Sequence, residues 1–448
     1  MVSRLRESLT LILLALLPFH ALGITVLTRI VVGPMHAPLG VLALWKEVLL
    51  AIILLLALVE IVRGNWKKSL MLDRIDWSVV ALAGALFFGS FFVGVPLKQM
   101  VYGIRYDLVP LAAFILLRRV SWSEPFLMRL PLVLACSVVV AAAFALFTLF
   151  LPDSFFSLLG YSDLHSLYIP NRPIAAFQHI GGTDLRRLQG PFSGPNQFGI
   201  WLAALLPIIA ALRTKWRRLL AALVLLAIVL TFSRAAWIAA AVIVVIVHWP
   251  QLKKLSVTSI TILCVGILTI AASLLWFFPS VIVRIESSVD HIENPMTAAW
   301  VMATAPFGWG LGSAGPANNR VADACVLLEE GSDVSWASVH PDLCVFVAGR
   351  QVQPNESCTC PFLTENWYLQ IGVEGGWVAM IAFVALVVLV IRRLWPTPPA
   401  QALLAVAIAG LFLHAWEDAA VAYTTWILCA ITLTFFEATV IRQPATSS

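Results

Sequence analysis

Long hydrophobic stretches separated by polar intervals dominate this chain. A helix needs roughly 20 predominantly apolar residues to cross a bilayer. The pattern predicts twelve spans, near residues 9–32, 38–62, 76–95, 99–117, 129–151, 193–212, 219–232, 235–249, 256–278, 366–391, 401–416 and 420–440. Only Phe232-Ser233-Arg234 separates the seventh span from the eighth. The predicted fold class is an all-α polytopic membrane protein, a single integral domain over residues 1–448.

Basic residues alternate between the polar intervals and therefore predict an orientation. Short cytoplasmic loops carry an excess of Lys and Arg. With the N-terminus inside, the inner intervals contain the paired basic residues Arg63, Lys67, Lys68, Arg74, Arg118, Arg119, Arg213, Lys215, Arg217, Arg218, Lys253, Lys254, Arg392 and Arg393. Both termini are then cytoplasmic. Residues 1–22 resemble a secretory signal, but the apolar run continues to Val32, so a retained first span is expected.

Composition supports the membrane assignment. The chain is 60% hydrophobic and only 12% charged, whereas soluble domains carry about 25% charged residues. The net charge of +5 follows from the basic inner loops, so it gives no support to nucleic-acid binding.

Two long polar insertions face the opposite side in this topology. The first external loop covers 152–192 and the second covers 279–365. Within the second, residues 293–304 predict a short lid helix with Ala298, Val301 and Met302 on its apolar face. Its Gly-x-Gly-x-x-Gly spelling at 310–315 follows no strand, so turn formation is expected rather than nucleotide binding.

Four cysteines lie in the second loop: Cys325, Cys344, Cys358 and Cys360. Thiols on an oxidising face predict two disulfides, with three possible pairings. Zinc is the alternative, because Cys358-Thr-Cys360 has a spacing that can hold a metal. The sequence lacks a second tight cysteine pair, which favours disulfides.

Three arginines fall near the external ends of the predicted spans: Arg105, Arg187 and Arg234. Guanidinium groups are permanently charged bidentate donors, so together they predict a phosphate clamp. The alternative is that each extends to the membrane interface. Asn196, in Gly194-Pro-Asn-Gln-Phe-Gly199, stands where a helix N-terminus can bind an anion or be capped by the Asn side chain.

A second charged feature is the adjacent pair Lys46-Glu47 within the second span. Adjacent side chains do not face each other on a helix. Different partners are therefore expected for these two residues.

Four motifs in order carry a family resemblance. They are Arg187-Leu-Gln-Gly-Pro-Phe-Ser-Gly-Pro-Asn-Gln-Phe-Gly199, Leu230-Thr-Phe-Ser-Arg-Ala-Ala236, Ala305-Pro-Phe-Gly-Trp-Gly-Leu-Gly312 and Glu365-Asn-Trp-Tyr-Leu-Gln-Ile-Gly-Val-Glu-Gly-Gly376. Over roughly residues 185–390 the chain resembles the O-antigen ligase/polymerase family of the bacterial inner membrane. That resemblance implies a GT-C-like bundle whose external site transfers a glycan from undecaprenyl pyrophosphate to an acceptor hydroxyl, in lipopolysaccharide or other polysaccharide biosynthesis.

The resemblance also implies residue roles. Arg187 and Arg234 correspond to the family's motif arginines and would stabilise the leaving pyrophosphate, with Arg105 as a third cation. Glu365 stands where ligases carry a histidine, and it is the leading candidate for the base. His340 is the alternative base, and Glu365 is also placed to cap the tenth span. The other substrate-binding candidates are Arg186, Asn196, Arg284 and Asn366.

The family's ligases also tend to have an arginine where this chain has Met296, and Arg284 or His291 can substitute for it. That departure and the missing histidine leave ligase and polymerase activity as alternatives. The expected partners are the lipid-linked donor, a glycan, lipid or protein acceptor, and membrane lipids. Because guanidinium groups supply the positive charge, no cofactor or metal is expected.

Two other functions remain open. Oligosaccharyl transfer to protein would use nearly the same site and differ in the acceptor. A transporter would need charged residues near the midplane and matching broken helices in two halves. Lys46-Glu47 is the only midplane candidate, and the sequence contains no evident repeat.

Overall fold

The protein is described from a computed structural model. It covers residues 1–64, 71–167, 169, 172–180, 183–256, 258–259, 269, 273, 276, 285–328, 330–416 and 418–442, apart from the side chains of 285–290 and 436–442. Most of these residues are helical. The predicted span 256–278 and Arg284 fall largely or wholly outside the described residues.

Helices fill the first half of the chain as the apolar pattern predicts. They are α1 (Val2–Leu16), α2 (His20–Val32), α3 (Gly40–Ala43), α4 (Trp45–Arg63), α5 (Arg74–Val93), α6 (Leu97–Gly103), α7 (Val109–Leu117), α8 (Glu124–Thr148) and α9 (Asp153–Leu159). A 3-10 turn, Leu17–Phe19, joins α1 to α2, and a π-helical turn, Ile104–Leu108, joins α6 to α7. The helix at the N-terminus begins at Val2, earlier than the predicted span.

The second half has longer connections. Its helices are α10 (Pro195–Ala210), α11 (Arg217–Leu230), α12 (Arg234–Leu252), α13 (Ile285–Thr304), α14 (Gly315–Asn318), α15 (Trp367–Leu394), α16 (Pro398–Ala409) and α17 (Ala419–Arg442). Helix α13 contains the predicted 293–304 helix and begins earlier. The predicted Ala298, Val301 and Met302 face is buried.

Seven helical segments among the described residues are long and apolar enough to cross a membrane. They are Val2–Val32, Gly40–Arg63, Arg74–Val93, Leu97–Leu117, Glu124–Thr148, Arg234–Leu252 and Trp367–Leu394. Shorter apolar helices follow at Pro195–Ala210, Pro398–Ala409 and Ala419–Phe435. The chain is therefore a helical membrane protein, while twelve spans and their orientation remain predictions.

Helix α10 lies at the centre of the bundle. Nearly every residue from Pro195 to Ile209 is buried, and Trp201 has no exposed surface. The helix packs against α8, α11, α12, α16 and α17. A helix that is apolar on all sides is stable only when other helices or lipid surround it, which explains why its sequence shows no polar face.

Charged residues close one end of the bundle. Arg6 donates to Glu60 at 3.0 Å and to the Ser121 carbonyl at 2.6 Å, and Arg118 pairs with Asp73. These groups come from helix ends that the basic-residue pattern places on the inner side. We call the other end, from which the two long loops leave, the loop end.

The Gly/Pro-rich segment 305–316 packs into the bundle beside α15. Helix α15 is broken at Gly376, where φ is 72° and ψ is −172°. The Trp309 and Gly310 amides donate to the Val373 and Glu374 carbonyls at 2.7 and 2.8 Å. The loop therefore supplies partners for backbone groups next to the break, as an apolar environment requires. The glycines of this segment allow the close packing, because a Cβ at Gly308 or Gly310 would lie within 2.5 Å of a neighbouring atom.

The two long loops pack together above the loop end. Ile169 of the first loop shares a small apolar core with Val326, Leu343 and Val345 of the second. Arg172 pairs with Asp342 across the same contact. The two predicted insertions thus form one cap.

A small sheet in the second loop departs from the all-α prediction. Strand β1 (Cys325–Leu328) pairs parallel with β2 (Cys344–Val347), which pairs antiparallel with β3 (Arg350–Gln353). The two disulfides are Cys325–Cys360 and Cys344–Cys358. Each joins a strand of this sheet to a residue that follows β3. This is one of the three possible pairings. Because each sulfur is bonded to another sulfur, none of the four is a thiolate ligand for zinc.

The break in α15 gives a stability prediction. A Cβ at Gly376 would lie 2.0 Å from the Pro306 carbonyl oxygen. The backbone conformation of Gly376 is also essentially restricted to glycine, and another residue there would cost roughly 1–3 kcal/mol. Gly376→Ala should lower the thermal midpoint of the purified protein. Gly84→Ala is the matched control, because its Cβ would meet nothing within 4 Å. Equal midpoints for the two variants would contradict this account of the loop.

Candidate functional site

A polar cavity of about 430 Å³ opens at the loop end. It lies between the start of α4, the π-helical turn, the N-terminus of α10 and the segment that leads into α17. Its charged and titratable lining residues are His20, Lys46, Glu47, Tyr102, Arg105, Tyr106, Arg172, Arg320, Glu365, His414, Asp418 and Tyr423. A concave site with converging polar groups in an otherwise apolar protein is the natural candidate for ligand binding.

Glu365 lines this cavity and lies between two histidines, of which His414 also lines it. Its carboxylate oxygens are 3.4 Å from His291 Nδ1 and 3.9 Å from His414 Nε2. The residue has a positive φ of 50°, a conformation that costs energy in a non-glycine residue and is common at functional sites. Asn366, not Glu365, caps α15, because its side chain accepts from the Leu369 amide at 3.0 Å. Glu365 is therefore left to face the cavity.

His414 is held as a neutral imidazole. Its Nδ1 lies 2.9 Å from the Gln370 side-chain oxygen. Burial, with a further contribution from nearby His291, lowers the pKa of His414 to about 4. Because the Gln370 oxygen can only accept, the neutral ring carries its proton on Nδ1, and the unprotonated Nε2 can accept a proton from Glu365 once that carboxyl is protonated. Burial has the opposite effect on nearby Asp418 and raises the pKa of its carboxyl to about 6.

A second charged cluster, of Lys46, Glu47 and Arg105, lines the cavity where α2 and α4 meet it. Arg105 places Nε 2.7 Å and one terminal nitrogen 2.6 Å from the same Glu47 oxygen. Lys46 Nζ is 3.1 Å from that oxygen and 3.0 Å from His20 Nε2. The two residues thus have the separate partners expected. Lys46 and Glu47 also contact each other, which the helix periodicity did not predict. The contact forms because both residues lie in the first turn of α4.

Arg187 supports the cavity from behind instead of lining it. The side chain is buried and donates to the Thr231 carbonyl, the Gln178 side chain and the Asn196 side chain, at 3.0, 2.9 and 2.8 Å. Gln178 and Asn196 both line the cavity. The expected phosphate clamp of three arginines is therefore not assembled in this structure, because only Arg105 reaches the lining. Arg234 is the first residue of α12, is half-buried and does not line the cavity.

Two other predicted residues lie in the cap. His340 faces Asp163 at 3.6 Å and its ring lies tilted beside that of Trp336, so it joins the two loops. Arg186 pairs with Asp153 and lies over the Phe177 ring. Neither lines the cavity, because both serve contacts between loop segments.

Sequence reasoning missed the groups that tertiary contacts bring to the site. His414 precedes the last helix and carried no motif, and Arg172 and Arg320 come from the loops. Their lining positions depend on how the cap folds onto the bundle, for which a single sequence has no local signal. Lys46 was noted only for its depth in a span.

Comparison with known proteins returned no match to any protein-family model and none to any curated protein.

The arrangement can perform two tasks. Guanidinium donors at the cavity can bind an anionic group, with the N-terminus of α10 nearby to add backbone amides. Glu365 can accept a proton from a bound hydroxyl. A carboxylate and several cations in one cavity suit a reaction in which a proton is removed and an anion is released.

The neutral state of His414 predicts an acid sensitivity. An unfolded histidine protonates near its ordinary pKa of 6.5, whereas the folded one resists down to about 4. Between these values acidification favours the unfolded chain, by up to about 1.4 kcal/mol per pH unit. The fall in thermal midpoint from pH 7 to pH 5 should therefore be smaller in His414→Gln than in the unmodified protein. Asp418 is common to both proteins, so its contribution cancels; identical falls would contradict a neutral buried His414.

Proposed function

We propose that this protein is a membrane glycosyltransferase. It moves a glycan from undecaprenyl pyrophosphate to an acceptor hydroxyl, with inversion at the anomeric carbon, as an O-antigen or exopolysaccharide ligase or polymerase. The observation that carries the proposal is the cavity in which Glu365, flanked by two histidines, shares a lining with Arg105 and Arg320. The ordered motifs of the sequence support the same chemistry.

The cations provide for the leaving group. Departure of the lipid-linked pyrophosphate develops negative charge, and fixed donors aimed at that charge lower the barrier. Arg105, Arg172 and Arg320 line the cavity and are the proposed donors. Arg187 is a positioning residue, because it fixes the Asn196 and Gln178 side chains in the wall. Guanidinium groups fulfil the charge requirement, so the proposed reaction uses no metal; loss of activity with a chelator and its return with a divalent ion would contradict this.

Glu365 provides for the acceptor. As the acceptor oxygen bonds to the anomeric carbon, its proton passes to the Glu365 carboxylate while the bond to the pyrophosphate oxygen breaks. His414 and His291 then stand beside the protonated carboxyl. We place this chemistry at the external face of a bacterial inner membrane with both termini in the cytoplasm. The basic-residue pattern of the sequence supports that orientation.

Substitution of Glu365 tests the function. In cells that lack the gene, the unmodified protein should restore the finished glycan, whereas Glu365→Gln should cut transfer by roughly 10²–10⁴-fold and accumulate undecaprenyl-linked glycan. Mass spectrometry of lipid-linked intermediates and glycoconjugates measures both. Glu356→Gln, at an exposed carboxyl in the same loop, is the control and should behave as the unmodified protein.

The same profile separates the alternatives. A missing protein conjugate would identify a protein O-oligosaccharyltransferase, and a missing polymer or lipid conjugate would identify a polymerase or ligase. A glycan profile that does not change when the gene is removed would overturn the proposal and favour a transporter.

A pair of arginine variants tests the anion site. Arg105→Gln removes a cation from the cavity lining and should lower kcat/KM for the lipid-linked donor by about 10²–10³-fold. Arg186→Gln is the matched control, since Arg186 pairs with Asp153 in the cap, and it should stay within a few-fold of the unmodified enzyme. Purified protein in lipid, assayed by product formation, gives both values. Equal losses would remove Arg105 from the proposed site.

A further inference from the structure

Three side chains form a hydrogen-bonded chain at the edge of the cavity. Trp45 Nε1 lies 3.0 Å from His20 Nδ1, and His20 Nε2 lies 3.0 Å from Lys46 Nζ. His20 and Lys46 both line the cavity, although Lys46 exposes only 5% of its surface. None of the three residues has a role in the proposed transfer.

The donors and acceptors in this chain determine where the protons are. An indole N–H can only donate, so His20 Nδ1 must accept and cannot carry a proton. A neutral imidazole then has its proton on Nε2, which points at Lys46. An ammonium group has three donors and no lone pair, so it would set a donor against a donor. Protonating His20 on both nitrogens would create the same conflict at Trp45.

An uncharged amine at Lys46 removes both conflicts among Trp45, His20 and Lys46. Its lone pair accepts from His20 Nε2, and its two protons point to the Ala43 carbonyl at 3.3 Å and to Glu47 at 3.1 Å. The charges also balance, because Arg105 already pairs with the same Glu47 oxygen. The other charged groups that act on this pair are Asp418, next to α17, and Arg320, from the second loop.

We propose that Lys46 is an uncharged amine in the ligand-free protein, held in that state by Trp45 through His20, and that it takes up a proton when a phosphate-bearing anion enters the cavity. The identification of that anion as the donor pyrophosphate rests on the proposed function. The site itself requires only a phosphate or pyrophosphate group.

The step balances with one proton from solvent. That proton adds to the Lys46 lone pair, which breaks the hydrogen bond from His20 Nε2. The new ammonium keeps its bonds to Ala43 and Glu47 and directs its third proton to an anion oxygen. The released His20 Nε2–H can donate to the same oxygen. One unit of positive charge is thus gained only when an anion is present to receive it.

Nuclear magnetic resonance of the full-length protein in lipid nanodiscs tests the amine. The protein carries ¹³C at the lysine ε-carbons, and Lys46→Arg assigns the signal. At pH 7 the Lys46 shift should be that of a neutral amine, and inorganic pyrophosphate should move it to that of an ammonium. An ammonium shift without ligand would overturn the proposal, and so would a neutral shift that pyrophosphate leaves unchanged.

Trp45→Phe is the matched variant. It retains a ring of similar shape but removes the donor, so His20 can place its proton on Nδ1 and accept from a charged lysine. Lys46 should therefore be an ammonium at pH 7 in this variant, and a neutral amine there would show that Trp45 does not control its state. His20→Phe removes the imidazole altogether and provides a second route to the same ammonium signal.

These measurements do not depend on glycan transfer. A neutral Lys46 that responds to pyrophosphate in a protein without transferase activity would leave this proposal standing and remove the proposed function. A permanently charged Lys46 in an active transferase would have the opposite meaning.

Discussion

Two backbone hydrogen bonds, from the Trp309 and Gly310 amides to the Val373 and Glu374 carbonyls, anchor the loop end of this protein. Helix α15 breaks at Gly376, and in an apolar surrounding its backbone groups need partners from within the protein. The loop that supplies them continues to Gly315, which packs against Gln370, and Gln370 in turn contacts His414. The wall of the cavity therefore depends on how the loop fits the broken helix.

Charges are arranged differently at the two ends of the bundle. At the closed end, the buried side chains of Arg118 and Arg6 pair with the carboxylates of Asp73 and Glu60, an arrangement that joins helix ends. At the loop end, Glu47 and Glu365 instead contact cations and histidines around an open cavity. A carboxylate between two imidazoles can change partners with little reorganisation, which a tightly paired one cannot.

The cap explains how loop residues remote in sequence contribute to one site. Ile169 and Val345 share a core, and disulfides tie the starts of strands β1 and β2, which lie side by side, to Cys360 and Cys358. From residue 360 the chain runs directly to Glu365 and α15. The cap thereby limits where Glu365 can lie.

The apolar pattern by itself determined the helices, because every segment that must sit in lipid has to be both long and hydrophobic. The cysteines of the second loop separately predicted two disulfides, and the motifs and charged residues singled out Glu365 and Arg105 as candidate site residues. Only the tertiary structure decided that Arg187 supports the wall, that His340 belongs to the cap, and that Lys46 meets His20 and Trp45. Those roles depend on contacts between distant segments, and a local sequence pattern carries no information about which partner a polar side chain will find.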